Sequence, residues 1–199
     1  MFNVSIKQLF KDHKDIFKIY IFMFLGIFLT YSLVSLLSPE LTIQKIFSAQ
    51  LESAGIYGSA TTISPLFNLI INNLVVFLAC FFLSFVYGAG SILFLTWNAS
   101  VWGVVIALFA KDSATITGIN PAVELGTSIL PFLPHMITEA TAYISASIVG
   151  GVISKAVLRE KLFSKKFHHI ITDAIILLII GFVLVLVAGI IEVRYFTNL

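Results

Sequence analysis

Two ionisable residues sit inside an otherwise apolar and small-residue run. They are His135 and Glu139, within Leu130-Pro-Phe-Leu-Pro-His-Met-Ile-Thr-Glu-Ala-Thr-Ala-Tyr-Ile-Ser-Ala-Ser-Ile-Val-Gly-Gly-Val-Ile153. On a helix a spacing of four stacks them on one face. An imidazole and a carboxylate so placed can bind a metal, exchange a proton or ion, or tie helices together through a buried polar network. Each chemistry needs different company. A zinc site usually supplies three protein ligands; here the set is one His and one Glu with no ligating Cys, so no metal and no other cofactor is expected. A carboxylate beside a helix interrupted by Pro131 and Pro134 suits an ion or proton site of a transporter. A structural network needs only amide and hydroxyl partners, and that role is the expected one. There is no Ser–His–Asp arrangement, no Walker sequence and no phosphate-binding glycine loop, so no catalytic residue and no enzyme activity is expected.

The elements that must position this pair are membrane helices. The chain has 199 residues, 59% hydrophobic and 11% charged, against the roughly 25% charge of a soluble domain. Long unbroken apolar runs exclude a barrel of alternating ~10-residue strands. The fold class expected is all-α, a polytopic helical bundle forming one integral membrane domain over residues 1–199. Its five spans are expected at about 16–37, 66–87, 91–110, 131–154 and 172–193. The net charge of +2 is no nucleic-acid footprint; the partners expected are the lipid bilayer and proteins within it. No cleavable signal peptide is expected, because the first apolar run follows four lysines and is too long for a signal core. Cys80, the single cysteine, sits mid-run and is expected to be a buried, inert thiol.

Three connecting segments carry expectations. Met1–Asp15 reads as an amphipathic interfacial helix or a positive flank. In 40–64, Leu41, Ile43, Ile46, Phe47 and Leu51 recur at helical spacing. They predict an external amphipathic helix capping the bundle, followed by a looser 55–62 stretch. Asn120-Pro121 reads as a helix start, and the prolines at 131 and 134 predict a separate short helix over 120–130, re-entrant or interfacial.

Asn68, Asn72 and Asn73 in the second span and Asn98 in the third need partners in hydrocarbon. Depths estimated along the spans place Asn72, Asn73, Asn98, His135 and Glu139 in one intramembrane polar cluster. Ala99, Gly103 and Ala107 form one small-residue strip. Thr138, Ala142, Ala146 and Gly150 form another, and such strips admit close helix packing and a possible homodimer. The last span, apolar except at Asp173 and Glu192, is expected to be peripheral. With five spans, nine of the twelve Lys and Arg residues fall on the side of the N-terminus and the 155–171 loop. That side is therefore expected to be cytoplasmic, with the C-terminus outside the cell membrane.

Asn73-Leu-Val-Val-Phe, the Gly88/Gly90 turn, Asn98 with Gly103, and Leu133-Pro-His135-xxx-Glu139 with Gly150-Gly151 resemble the stage II sporulation protein M family of integral membrane proteins. The resemblance covers roughly residues 66–155, within the same five-span layout. It departs where the family usually has Asn-Gly and His-Gly and this chain has Asn98-Ala99 and His135-Met136. The resemblance implies a non-enzymatic membrane scaffold or accessory subunit. In spore formers the family member looks like a scaffold for peptidoglycan-degrading partners, and many members occur where no spores form. The alternative is a small transporter or permease-like subunit using the intramembrane site.

Overall fold

The computed structural model describes residues 14–54 and 65–196. Most of the Met1–Asp15 stretch, the 55–62 stretch and the side chain of Asn68 lie outside the described residues. Among the described residues the elements are α1 (Lys14–Leu37), α2 (Glu40–Ile46), α3 (Ser48–Ser53), α4 (Pro65–Tyr87), α5 (Ile92–Thr117), α6 (Pro121–Arg159) and α7 (Lys165–Phe196). Five segments are long and apolar enough to cross a membrane: Lys14–Leu37, Ile70–Tyr87, Ile92–Thr117, Pro121–Arg159 and Lys165–Glu192. The chain is an all-α polytopic membrane protein.

Local chemistry sets the boundaries. Asn120 Oδ1 accepts the Ala122 N–H at 2.8 Å, so Asn120 caps α6 with Pro121 at its first position. Gly118 ends the preceding segment at φ 71°, a left-handed conformation that glycine adopts without steric cost. Ser164 Oγ accepts the Phe167 N–H at 3.1 Å and caps α7. The Gly88-Ala89-Gly90 turn joins α4 to α5, with Gly88 at φ 69°.

Two expectations about the elements are corrected. The prolines at 131 and 134 lie inside α6, which runs unbroken for 39 residues; there is no separate helix over 120–130. Each proline removes one N–H and strips the carbonyl four residues earlier of its usual donor, yet membrane helices tolerate this where neighbouring groups re-satisfy the backbone. The basic 155–171 segment is also mostly helical, since α6 ends at Arg159 and α7 begins at Lys165.

The chain divides into two compact units, one of 1–22, 65–95 and 135–199, the other of 23–64 and 96–134. In the second unit Ile43, Phe47 and Leu51, four apart, are buried with Val104, against Tyr31 and Leu108. Of the apolar face expected of the 40–64 segment these three are buried, whereas Leu41 and Ile46 are exposed; the helix is broken at Phe47 into α2 and α3. Phe132 meets the rings of Trp102 at 6.1 Å and Phe109 at 5.6 Å. Gly103 faces α1: a methyl built there would stand 2.7 Å from the Phe28 carbonyl oxygen, with Ala99 and Ala107 buried on the same strip.

In the first unit, α4 packs against α6 and α7. Ala142 and Ala146 are buried, and a methyl on Gly150 would stand 2.9 Å from the Phe85 amide nitrogen and the Ser84 Cβ. On α7, a methyl on Gly181 would stand 2.9 Å from the Phe77 ring and one on Gly189 2.8 Å from Ile70. Helix α7 is therefore built into its unit and not peripheral. Uniform apolarity hid this; the signal was its two glycines, eight residues apart on one face.

These contacts give a test. Gly150→Ala is expected to destabilise by about 1–3 kcal/mol through overpacking against backbone that cannot give way, despite the ~1 kcal/mol that alanine gains in helix propensity. Gly26→Ala, whose added methyl meets nothing within 4 Å, is expected to be neutral or stabilising. Thermal unfolding in detergent compares them, and equal shifts would refute the packing argument.

Candidate functional site

The site grows from one helical turn of α6. His135 and Glu139 are both buried, 2% and 4% exposed, and His135 Nε2 lies 2.8 Å from Glu139 Oε2. The contact has the distance of an ion pair without hydrogen-bond alignment. One turn further on, the fully buried Tyr143 donates its hydroxyl to Glu139 Oε1 at 2.6 Å. The same spacing of four that stacks His135 on Glu139 stacks Glu139 on Tyr143.

Two other helices close the site. Nδ1 of His135 lies 3.0 Å from the Ala188 carbonyl oxygen of α7. A carbonyl only accepts, so Nδ1 is the donor. Four residues on, Glu192 Oε2 lies 3.5 Å from His135 Nε2. The same oxygen accepts from the Asn73 amide of α4 at 3.4 Å. Asn73 is buried. One imidazole thus faces two carboxylates from two helices, and each carboxylate is held by a further donor. With Nδ1 committed to the carbonyl, the exchangeable protons of the trio belong to Nε2 and the two carboxyl groups.

Of the residues expected to cluster, His135 and Glu139 touch directly, and Asn73 joins them through Glu192 and not through Glu139. Asn72 does not face the site: it is exposed, a turn of about 100° away from Asn73 on α4. Asn98, half-buried, belongs to the other unit. Glu192 and Tyr143 are the members not anticipated. Tyr143 was legible from its spacing to Glu139. Glu192 was visible as an acid in the last turns of an apolar span, a placement costly enough to demand a partner.

Chemically the arrangement can hold protons and can hold helices together. Among the described residues no three His, Cys, Asp or Glu side chains are grouped to hold a metal ion. The 950 Å³ pocket of this unit is lined by none of His135, Glu139, Tyr143, Glu192 or Asn73. The Tyr143→Phe variant should be about 1–3 kcal/mol less stable, the cost of leaving a buried acceptor unpaired. A double-mutant cycle of Tyr143→Phe with Glu139→Leu should show coupling of at least ~0.5 kcal/mol; additivity would remove the hydrogen bond from the account.

A family model described as stage II sporulation protein M matches residues 19–197. No curated protein and no solved structure matches the chain.

Proposed function

The chain belongs to the stage II sporulation protein M family, and on that premise we propose that it is a non-enzymatic membrane scaffold or accessory subunit that organises partner proteins. The observation that carries the reading is the closed polar lock. His135, Glu139, Tyr143, Asn73 and Glu192 direct their polar atoms at one another and at one backbone carbonyl across α4, α6 and α7. Such a network fixes the relative position of helices and leaves their outer faces free. Those faces are apolar: Phe82 of α4, Ile137 of α6 and Ile179 of α7 are all exposed, matching lipid or the membrane segments of partners. The small-residue strips are occupied within the chain, Gly103 by α1 and Gly150 by α4, so a homodimer would use other faces.

The site of action is the cell membrane, with the N-terminus and the α6–α7 turn cytoplasmic. The support is the asymmetry of basic residues, nine of twelve on that side. Labelling of a single cysteine at position 165, in a Cys80→Ala background, by an impermeant reagent applied outside the cell would overturn this orientation.

The role is tested in native membranes. Glu139→Gln is expected to retain the hydrogen bonds and the co-purifying proteins. Glu139→Leu leaves a buried imidazole without its nearest carboxylate, is expected to cost about 3–5 kcal/mol, and should lose those proteins together with thermal stability. If Glu139→Gln folds normally but abolishes a proton or ion flux measured in proteoliposomes, the scaffold reading is wrong.

A further inference from the structure

The first unit has a second polar region, of a different character from the lock. A pocket of about 950 Å³ opens beside the ends of α6 and α7 that the 160–164 turn connects. Its volume falls in the ordinary range for small-molecule and cofactor sites, about 300–1,000 Å³. Its inner lining is apolar, with Tyr20 of α1, Ile148 of α6, and Ala174 and Leu177 of α7. Lys155, Arg159 and Lys166 supply cations to the lining, and Glu160 and Asp173 supply two acids. Three cations and two carboxylates leave a net charge of +1 with His169 neutral.

Glu160 is already paired, and Asp173 has a histidine beside one of its two oxygens. Lys166 Nζ lies 2.6 Å from Glu160 Oε1, and His169 Nε2 lies 3.6 Å from Asp173 Oδ2. Lys155 and Arg159 make no salt bridge among the described residues; both are exposed. They are four apart at the end of α6, so they share one face. Between them in sequence, Leu158 also lines the pocket while 82% exposed. A soluble surface would not gain from leaving a leucine open beside two unpaired cations. A membrane interface would, because there the leucine meets acyl chains and the cations meet phosphates.

From these contacts we infer that the pocket is a binding site for an anionic glycerophospholipid. Its phosphate lies against Lys155 and Arg159, and an acyl chain enters the apolar lining toward Leu177. The net positive lining selects a lipid of net negative charge over a zwitterionic one. The inference depends on insertion of the chain in a bilayer and not on the scaffold role. A lipid held here bridges α1, α6 and α7, because Tyr20, Ile148 and Leu177 line one cavity.

The test uses the full chain in detergent, with dioleoyl phosphatidylglycerol as the probe. Native mass spectrometry reads retained lipid and thermal unfolding reads stabilisation. Wild type is expected to retain one phosphatidylglycerol in preference to phosphatidylethanolamine or phosphatidylcholine, with a raised melting temperature. Lys155→Gln/Arg159→Gln should bind it about tenfold or more weakly, given that each basic residue at a membrane surface is worth about fivefold in binding. Lys161→Gln/Lys165→Gln removes the same charge from residues outside the pocket and should change little. Both double variants should melt like wild type without added lipid, since all four residues are exposed. Equal retention of the three lipids would overturn the proposal, as would equal weakening by the two double variants. Stabilisation by soluble glycerol phosphate as large as that by the whole lipid would also overturn it, because the apolar lining would then play no part.

Discussion

Charge inside hydrocarbon is the constraint on which the first unit depends. An ionised side chain at membrane depth costs about 2.5–3.5 kcal/mol even on insertion scales, and this chain buries the His135 imidazole and the Glu139 carboxylate, with the partly buried Glu192 carboxylate within a few ångströms. They are tolerable only together. His135 needs a carboxylate for Nε2 and an acceptor for Nδ1, Glu139 needs the Tyr143 hydroxyl, and Glu192 needs the Asn73 amide. No single helix supplies all of these, so the requirement for satisfaction becomes a requirement that α4, α6 and α7 stand side by side.

That proximity is created by residues without side chains. Polar atoms on different helices reach about 3 Å only if the backbones come close, and bulky residues at the crossings would prevent it. Gly150 lets α6 approach α4 at Ser84 and Phe85, while Gly181 and Gly189 let α7 approach α4 at Phe77 and Ile70. The glycines and the ionisable residues are therefore parts of one device, with close approach as its means and polar pairing as its reward. The second unit reaches stability differently, through an apolar cluster of Ile43, Phe47, Leu51 and Val104 and an aromatic contact at Phe132. Among its described residues it uses the close-approach element at Gly103.

The parts of this that were legible in the sequence are those governed by short-range rules. Runs of about twenty apolar residues marked the five spans, and the spacing of four brought His135 onto Glu139. The Asn120-Pro121 pair marked the start of α6. Properties set by neighbours were not legible. Asn72 and Asn73 are adjacent and chemically identical, and which one faces protein is fixed by the rotation of α4 against its partners. Pro131 and Pro134 read as a break because a proline weakens an isolated helix, but the surrounding structure decides whether the helix continues. Glu192 read as a helix-end residue because its partners, His135 and Asn73, lie 57 and 119 positions away.

Within the first unit, the two polar regions divide the physical work by depth. At the lock, the polar groups face one another inside the protein, one of the contacts by charge proximity and not by an aligned hydrogen bond, and what they supply is rigidity. Toward the end of α6 and α7 the matching is incomplete: Glu160 pairs with Lys166 and Asp173 lies beside His169, whereas Lys155 and Arg159 make no salt bridge among the described residues. Unmatched charge is cheap there because headgroups and water reach it, and expensive one or two turns deeper. The arrangement follows from the dielectric gradient across a membrane. Where polar groups could not be hydrated they were paired, and where they could be hydrated they were left available. A frame of this kind keeps its shape from within and leaves its uncompensated charge at the ends of its helices.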